Sequence, residues 1–213
     1  LNFTNPLALQ GVENLTAGSG DDTITLLSAA TGTISLGTGT DALFLGDFSN
    51  TVTVSGIETV IGGGGTDVVT MSAAGAIAVG GIETLFGSTG GDTVTLTEAM
   101  TGTISLGDGA DTVILGDAAS NVTLIGVENV IAGAGDDGIT LTSAASGTIN
   151  LGAGTDTLTL GDFTNAVTIL GVETITGGSG TDTVTMGAAG SLTASGVESL
   201  IGSSGNDTVT LTG

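Results

Sequence analysis

This 213-residue sequence predicts an all-β fold, a right-handed parallel β-solenoid, on three observations. First, a Gly-(Val/Ile)-Glu block recurs six times, opening at Gly11, Gly56, Gly81, Gly126, Gly171 and Gly196. The last three copies repeat the first three at a constant separation of 115 residues, so a super-repeat of that length underlies the chain. Second, a glycine-rich turn ending in Asp recurs nine times, at Asp22, Asp41, Asp67, Asp92, Asp111, Asp137, Asp156, Asp182 and Asp207, with gaps of 19, 25 or 26 residues. Third, each Asp opens a run of period 2, as in Thr23-Ile24-Thr25-Leu26, Thr93-Val94-Thr95-Leu96 and Thr183-Val184-Thr185-Met186. Apolar residues alternating with Thr mark a half-buried strand, and β-branched Thr suits the outer face.

The gaps predict coils of about 19 and of 25–26 residues. The shorter coil has room for two strands and two turns; the longer adds the Gly-(Val/Ile)-Glu segment. Further strands are expected at Thr33-Ile34-Ser35-Leu36, Val52-Thr53-Val54 and Val122-Thr123-Leu124-Ile125. No stretch sustains a 3.6-residue period, and Ser28-Ala29-Ala30, Glu98-Ala99-Met100 and Ser143-Ala144-Ala145 read as loops. A single short strand cannot bury its apolar face alone, so the coils must stack around a thin interior of Val, Ile, Leu and Ala. Residues 1–213 then form one solenoid domain. Leu1 in place of an initiator Met, and an array that opens and closes partway round a coil, mark it as an excerpt of a longer repeat.

Composition narrows the function. The chain has no Lys, Arg, His or Cys and 22 acidic residues, a formal net charge of −22. Nothing in it neutralises a carboxylate, yet 39% of its residues are apolar and periodic, which argues against disorder. The counter-charge must come from external cations. Without basic residues there is no phosphate-neutralising surface, so no nucleic-acid partner is expected. An anionic membrane would repel the chain, and no apolar run is long enough for a membrane-spanning helix. General bases and nucleophiles reduce to Ser, Thr, Asp and Glu. Eighteen of the 22 acids fall at repeat positions, so no enzyme activity is expected.

The turns carry the chemistry. Ala17-Gly18-Ser19-Gly20-Asp21-Asp22-Thr23-Ile24-Thr25 and Gly177-Gly178-Ser179-Gly180-Thr181-Asp182-Thr183-Val184-Thr185 fit the nonapeptide Gly-Gly-x-Gly-x-Asp-x-U-x, with U apolar. So do the segments ending in Asp41 and Asp67 and the apolar residues after them. The second glycine is replaced by Ser88 and Ser203 in two turns. Nine such motifs in a fixed lattice resemble the calcium-binding repeats of RTX proteins. That resemblance implies Ca²⁺ held by the nine Asp carboxylates and by the turns of Gly18, Gly20, Gly37, Gly39, Gly63, Gly65, Gly107, Gly109, Gly133, Gly135, Gly152, Gly154, Gly178 and Gly180. Hard oxygen donors without His or Cys agree with calcium. RTX nonapeptides usually run in tandem every nine residues. Here the well-formed motifs recur every 19–26 residues, so several ions along a single edge are expected.

The Gly-(Val/Ile)-Glu block is a degraded copy of the unit, its Glu lying nine residues before an Asp, as Glu58 precedes Asp67. These Glu are read as acceptors for turn amides, with metal ligation as the alternative. Asp47, Asp117 and Asp162, each in Leu-Gly-Asp, are read as turn caps at another corner. The resemblance further implies a secreted protein, extracellular or on a bacterial surface by type I secretion, acting as a surface-layer (S-layer), filament or adhesin segment that self-associates head to tail or laterally. Thr-x-Thr pairs at Thr23, Thr93, Thr157, Thr183 and Thr208 offer an ice-binding alternative, interrupted at Ala42, Val68, Ile114 and Gly138.

Overall fold

The computed structural model describes residues 6–212. It is all strand: 24 strands, with no helix among the described residues, form two parallel sheets of twelve. Successive strands alternate between the sheets, so each coil contributes one strand to each and the chain makes about twelve coils. The expected all-β parallel solenoid is the architecture observed. Segments 28–30, 98–100 and 143–145 are loops, as read from the sequence.

The coil length differs from expectation. Val184 pairs with Leu200, a step of 16 residues, and Ile149 with Ile169, a step of 20; no step falls outside these limits. A 19-residue gap between Asp residues is one coil, as from Asp22 to Asp41, both leading into the first sheet. A gap of 25 or 26 is one and a half coils: Asp41 leads into the strand Ala42–Phe44 of the first sheet, Asp67 opens Asp67–Met71 of the second. Period alone does not separate one coil from one and a half when both ends of a coil carry the same turn. The 115-residue super-repeat spans six and a half coils for the same reason. Asp22 leads into Thr23–Leu26 in the first sheet, and its counterpart Asp137 leads into Gly138–Leu141 in the second. Each feature of the first half thus reappears on the opposite side in the second.

Alternation produces the interior. Ile24, Leu43 and Val60 stack in register from coil to coil, as do Leu15, Ile34 and Val54 in the other sheet. Ile34, Leu36, Leu43, Leu45, Leu85 and Ile104 are fully buried, each contributing about 1.5–3 kcal/mol. No Phe enters this core among the described residues; Phe44, Phe48, Phe86 and Phe163 are exposed. The Thr-x-Thr pairs are divided between faces, those at Thr23, Thr93 and Thr183 in the first sheet and those at Thr157 and Thr208 in the second.

Coils stack closely enough that some turn positions admit only glycine. Gly37 has φ +104°, in the region that side chains avoid, and a Cβ there would fall on the carbonyl oxygen of Gly18 one coil below.

Candidate metal centre

Two corners, not one, carry the Asp residues. Asp22, Asp41, Asp92, Asp111 and Asp182 lie where the chain turns into the first sheet; Asp67, Asp137, Asp156 and Asp207 where it turns into the second. The turn glycines divide with them: Gly18, Gly20, Gly37, Gly39, Gly107, Gly109, Gly178 and Gly180 at the first corner, Gly63, Gly65, Gly133, Gly135, Gly152 and Gly154 at the second. The expected single edge is therefore corrected to two. Half a coil is about nine residues, so tandem nonapeptides fall alternately on opposite corners. Eight of the nine Asp are buried, and Asp207, in the outermost coil, is half-buried.

Within each corner the side chains form vertical rows. The backbone N–H of Asp22 donates to Asp41 Oδ1 at 2.7 Å, and that of Asp41 to Glu58 Oε2 at 2.7 Å. Asp92 N–H donates to Asp111 Oδ1 at 2.7 Å and Asp111 N–H to Glu128 Oε2 at 2.8 Å. At the second corner the row runs from Asp137 to Asp156 to Glu173, with both distances 2.8 Å. Glu83 and Glu198 accept from Asp67 and Asp182 at 2.7 Å. These five Glu sit at Asp positions of the lattice and accept turn amides, the role read from the sequence.

Three lattice members escaped the sequence reading. Asn50, Ser120 and Asn165 occupy Asp positions. Asn50 Oδ1 accepts from Ala30 N–H at 2.9 Å while its Nδ2 donates to Asp67 Oδ1 at 2.7 Å. Asn165 bridges Ala145 and Asp182 in the same way, and Ser120 links Met100 to Asp137. The signal was present: Leu45-Gly46-Asp47-Phe48-Ser49-Asn50 parallels Leu36-Gly37-Thr38-Gly39-Thr40-Asp41, nine residues on. Leu-Gly-Asp is thus the start of an ordinary lattice turn and not a separate corner. Its Asp still caps: Asp47 Oδ1 accepts from Gly64 N–H at 3.1 Å and Asp162 Oδ1 from Ser179 N–H at 2.8 Å. That amide holds the Asp162 carboxyl below its ordinary value.

The rows leave carboxylate oxygens over. Both oxygens of Asp22, and Oδ2 of Asp41, Asp67, Asp111, Asp137, Asp156 and Asp182, are buried with no hydrogen-bond partner. A buried anionic oxygen without a donor is costly. Burial pushes the carboxyls of Asp41, Asp67, Asp111, Asp137 and Asp156 above the ordinary Asp value; backbone amides, and Asn50 at Asp67, pull them back, and neighbouring carboxylates raise them further. Among the described residues no three acidic side chains converge, so a cation at a corner would complete its shell from turn carbonyls. An all-oxygen donor set with unpartnered carboxylates fits Ca²⁺.

These shifts fix a pH dependence for the metal-free chain. Between the ordinary Asp value and the raised folded value, the folded state holds more protons than the unfolded one, so stability is lost as pH rises through that window. In chelator with molar salt, which screens the repulsion enough for the chain to fold, the melting temperature should rise on acidification from neutral pH toward about pH 4. A fall would contradict the burial of uncompensated carboxylates.

A family model for the RTX calcium-binding nonapeptide repeat (4 copies) matches residues 8–26, 170–188 and 193–211. Each matched span holds a Glu corner and, nine residues on, an Asp corner: Glu13 and Asp22, Glu173 and Asp182, Glu198 and Asp207. These three spans carry RTX calcium-binding nonapeptide repeats. No curated protein and no solved structure matches the chain significantly.

Proposed function

We propose that this RTX-repeat chain is a calcium-stabilised extracellular structural array, a segment of a surface-layer, filament or adhesin protein. The buried, unpartnered carboxylate oxygens at both corners carry the reading. In a chain with no cationic side chain, only an external cation can neutralise them. When bound, Ca²⁺ supplies positive charge and a coordination shell of oxygens. The Asp rows hold the carboxylates at fixed intervals along each corner, and the turn glycines let carbonyls of adjacent coils approach the same point. RTX repeats are typical of secreted proteins, and a calcium-poor cytoplasm with calcium-rich surroundings suits a chain that folds after export. An open hollow of about 450 Å³ has Asp162 as the one titratable group in its lining. The same cations would allow association head to tail or laterally, since acidic surfaces otherwise repel.

Equilibrium dialysis of the chain against calcium is expected to show several ions bound per molecule, with magnesium a poor substitute because it demands a tighter octahedral shell. Sedimentation should show larger species in calcium than in chelator. A chain that binds no calcium would sink the proposal; a strictly monomeric calcium form would remove its association clause.

A further inference from the structure

The nine Asp corners are not equivalent. Seven leave a buried oxygen without a partner: those of Asp22, Asp41, Asp67, Asp111, Asp137, Asp156 and Asp182. At Asp92 and Asp207 the chain itself supplies the donors. Asp92 Oδ2 accepts from the backbone N–H of Ser88 at 2.8 Å and from its hydroxyl at 3.2 Å, while Oδ1 accepts from Gly75 N–H at 2.9 Å. Asp207 repeats the arrangement: Oδ2 accepts from Ser203 N–H at 2.9 Å, the Ser203 hydroxyl lies 3.0 Å from Oδ1, and Gly190 N–H approaches Oδ1 at 3.4 Å. No other corner has an N–H four residues upstream donating to its own Asp among the hydrogen bonds described.

One residue sets these two turns apart. Where these turns have Ser88 and Ser203, the seven others have glycine: Gly18, Gly37, Gly63, Gly107, Gly133, Gly152 and Gly178. Five of those, Gly37, Gly63, Gly107, Gly152 and Gly178, take φ between +89° and +104°, a path closed to serine at ordinary cost. No non-glycine residue takes positive φ among the described residues. The Ser turns keep negative φ and aim their own amide and hydroxyl at the carboxylate. Donors and a cation compete for the same oxygens, and charge-assisted bonds already stabilise the anion. Building on the calcium reading above, we infer that Ser88 and Ser203 lock Asp92 and Asp207 into turns that close without calcium, so the ion array is interrupted once in each super-repeat. The two sites are 115 residues apart, so the interruption is part of the repeat and recurs on opposite corners.

The test counts calcium bound to the full chain at saturation. Asp92→Asn and Asp207→Asn are expected to bind as many ions as the parent, whereas Asp111→Asn binds fewer. Ser88→Gly, which restores the residue of the other seven turns and frees the Asp92 carboxylate, is expected to bind more. Should Asp92→Asn fail to fold, Asp207→Asn answers the same question from a half-exposed turn in the outermost described coil. A reduced count in Asp207→Asn, or an unchanged one in Ser88→Gly, overturns this inference alone. A parent chain that binds no calcium overturns the reading beneath it as well.

Discussion

Exhaustive chelation at low ionic strength is expected to abolish the β-sheet circular dichroism of the chain. Acidic side chains are direct vertical neighbours at eight points: Asp22–Asp41, Asp41–Glu58, Asp92–Asp111, Asp111–Glu128 and Asp182–Glu198 at one corner, Asp67–Glu83, Asp137–Asp156 and Asp156–Glu173 at the other. Strands in a sheet lie about 4.8 Å apart. Two unit charges at that distance repel by about 1 kcal/mol in bulk water and about 3 kcal/mol at the effective dielectric near a protein surface. Summed over eight contacts, this rivals the whole stability of an ordinary domain, about 5–15 kcal/mol. Calcium reverses the sign: each independent site adds about 2.7 kcal/mol at a hundredfold excess over its dissociation constant. Solenoid coils touch only their neighbours, so loss of the corners leaves no distant contact to hold the sheet. Molar salt should restore part of the signal by screening. An unchanged spectrum and melting temperature after complete chelation would falsify the calcium dependence.

The fold was legible because each level of the sequence agrees with the next. Alternation in Thr93-Val94-Thr95-Leu96 sets the strand, the Gly turn sets the corner, and recurrence sets the stack. The coil length was not legible from the Asp residues alone. Asp41 and Asp67 look like neighbours along one edge, yet Asn50, Glu58 and the half-coil between them put Asp67 on the other. What hid the second edge was chemical substitution within a constant geometry: Asn, Ser or Glu accepts the same amide that Asp accepts. The amide-accepting role of the Glu was legible because each block Glu lies nine residues before an Asp, at a lattice point. A Glu at the lattice point reaches the amide one coil below, and none of the Glu has a buried oxygen without a partner among the described residues. The self-closing Ser88 turn needed coordinates, because a Gly-to-Ser change reads as a minor departure from the motif until the direction of its N–H is known.

The difference between Asp and Glu makes the second large effect specific. Asp111 lies mid-row at the first corner: Oδ1 accepts from Asp92 N–H at 2.7 Å, its own N–H reaches Glu128 at 2.8 Å, and its Oδ2 is buried without a partner. Asp111→Asn keeps the acceptor for Asp92 and replaces the free anionic oxygen with an amide that cannot bind a cation. The calcium concentration needed for half-maximal folding should rise by at least about tenfold, since even groups that only orient metal ligands are worth that much. Glu128→Gln retains a carbonyl for the Asp111 amide and loses only the charge of the acceptor, a cost of about 1 kcal/mol. Without calcium the order reverses. Burial raises the Asp111 carboxyl, and the charges of Glu128 and Asp92 raise it further. Asn removes that burden, so at neutral pH in chelator with high salt Asp111→Asn should melt no lower than the parent. Calcium titrations followed by circular dichroism, run on both variants and repeated in chelator, separate these outcomes. Equal damage from Glu128→Gln would make Glu a ligand as well and replace the Asp-only rows with mixed ones.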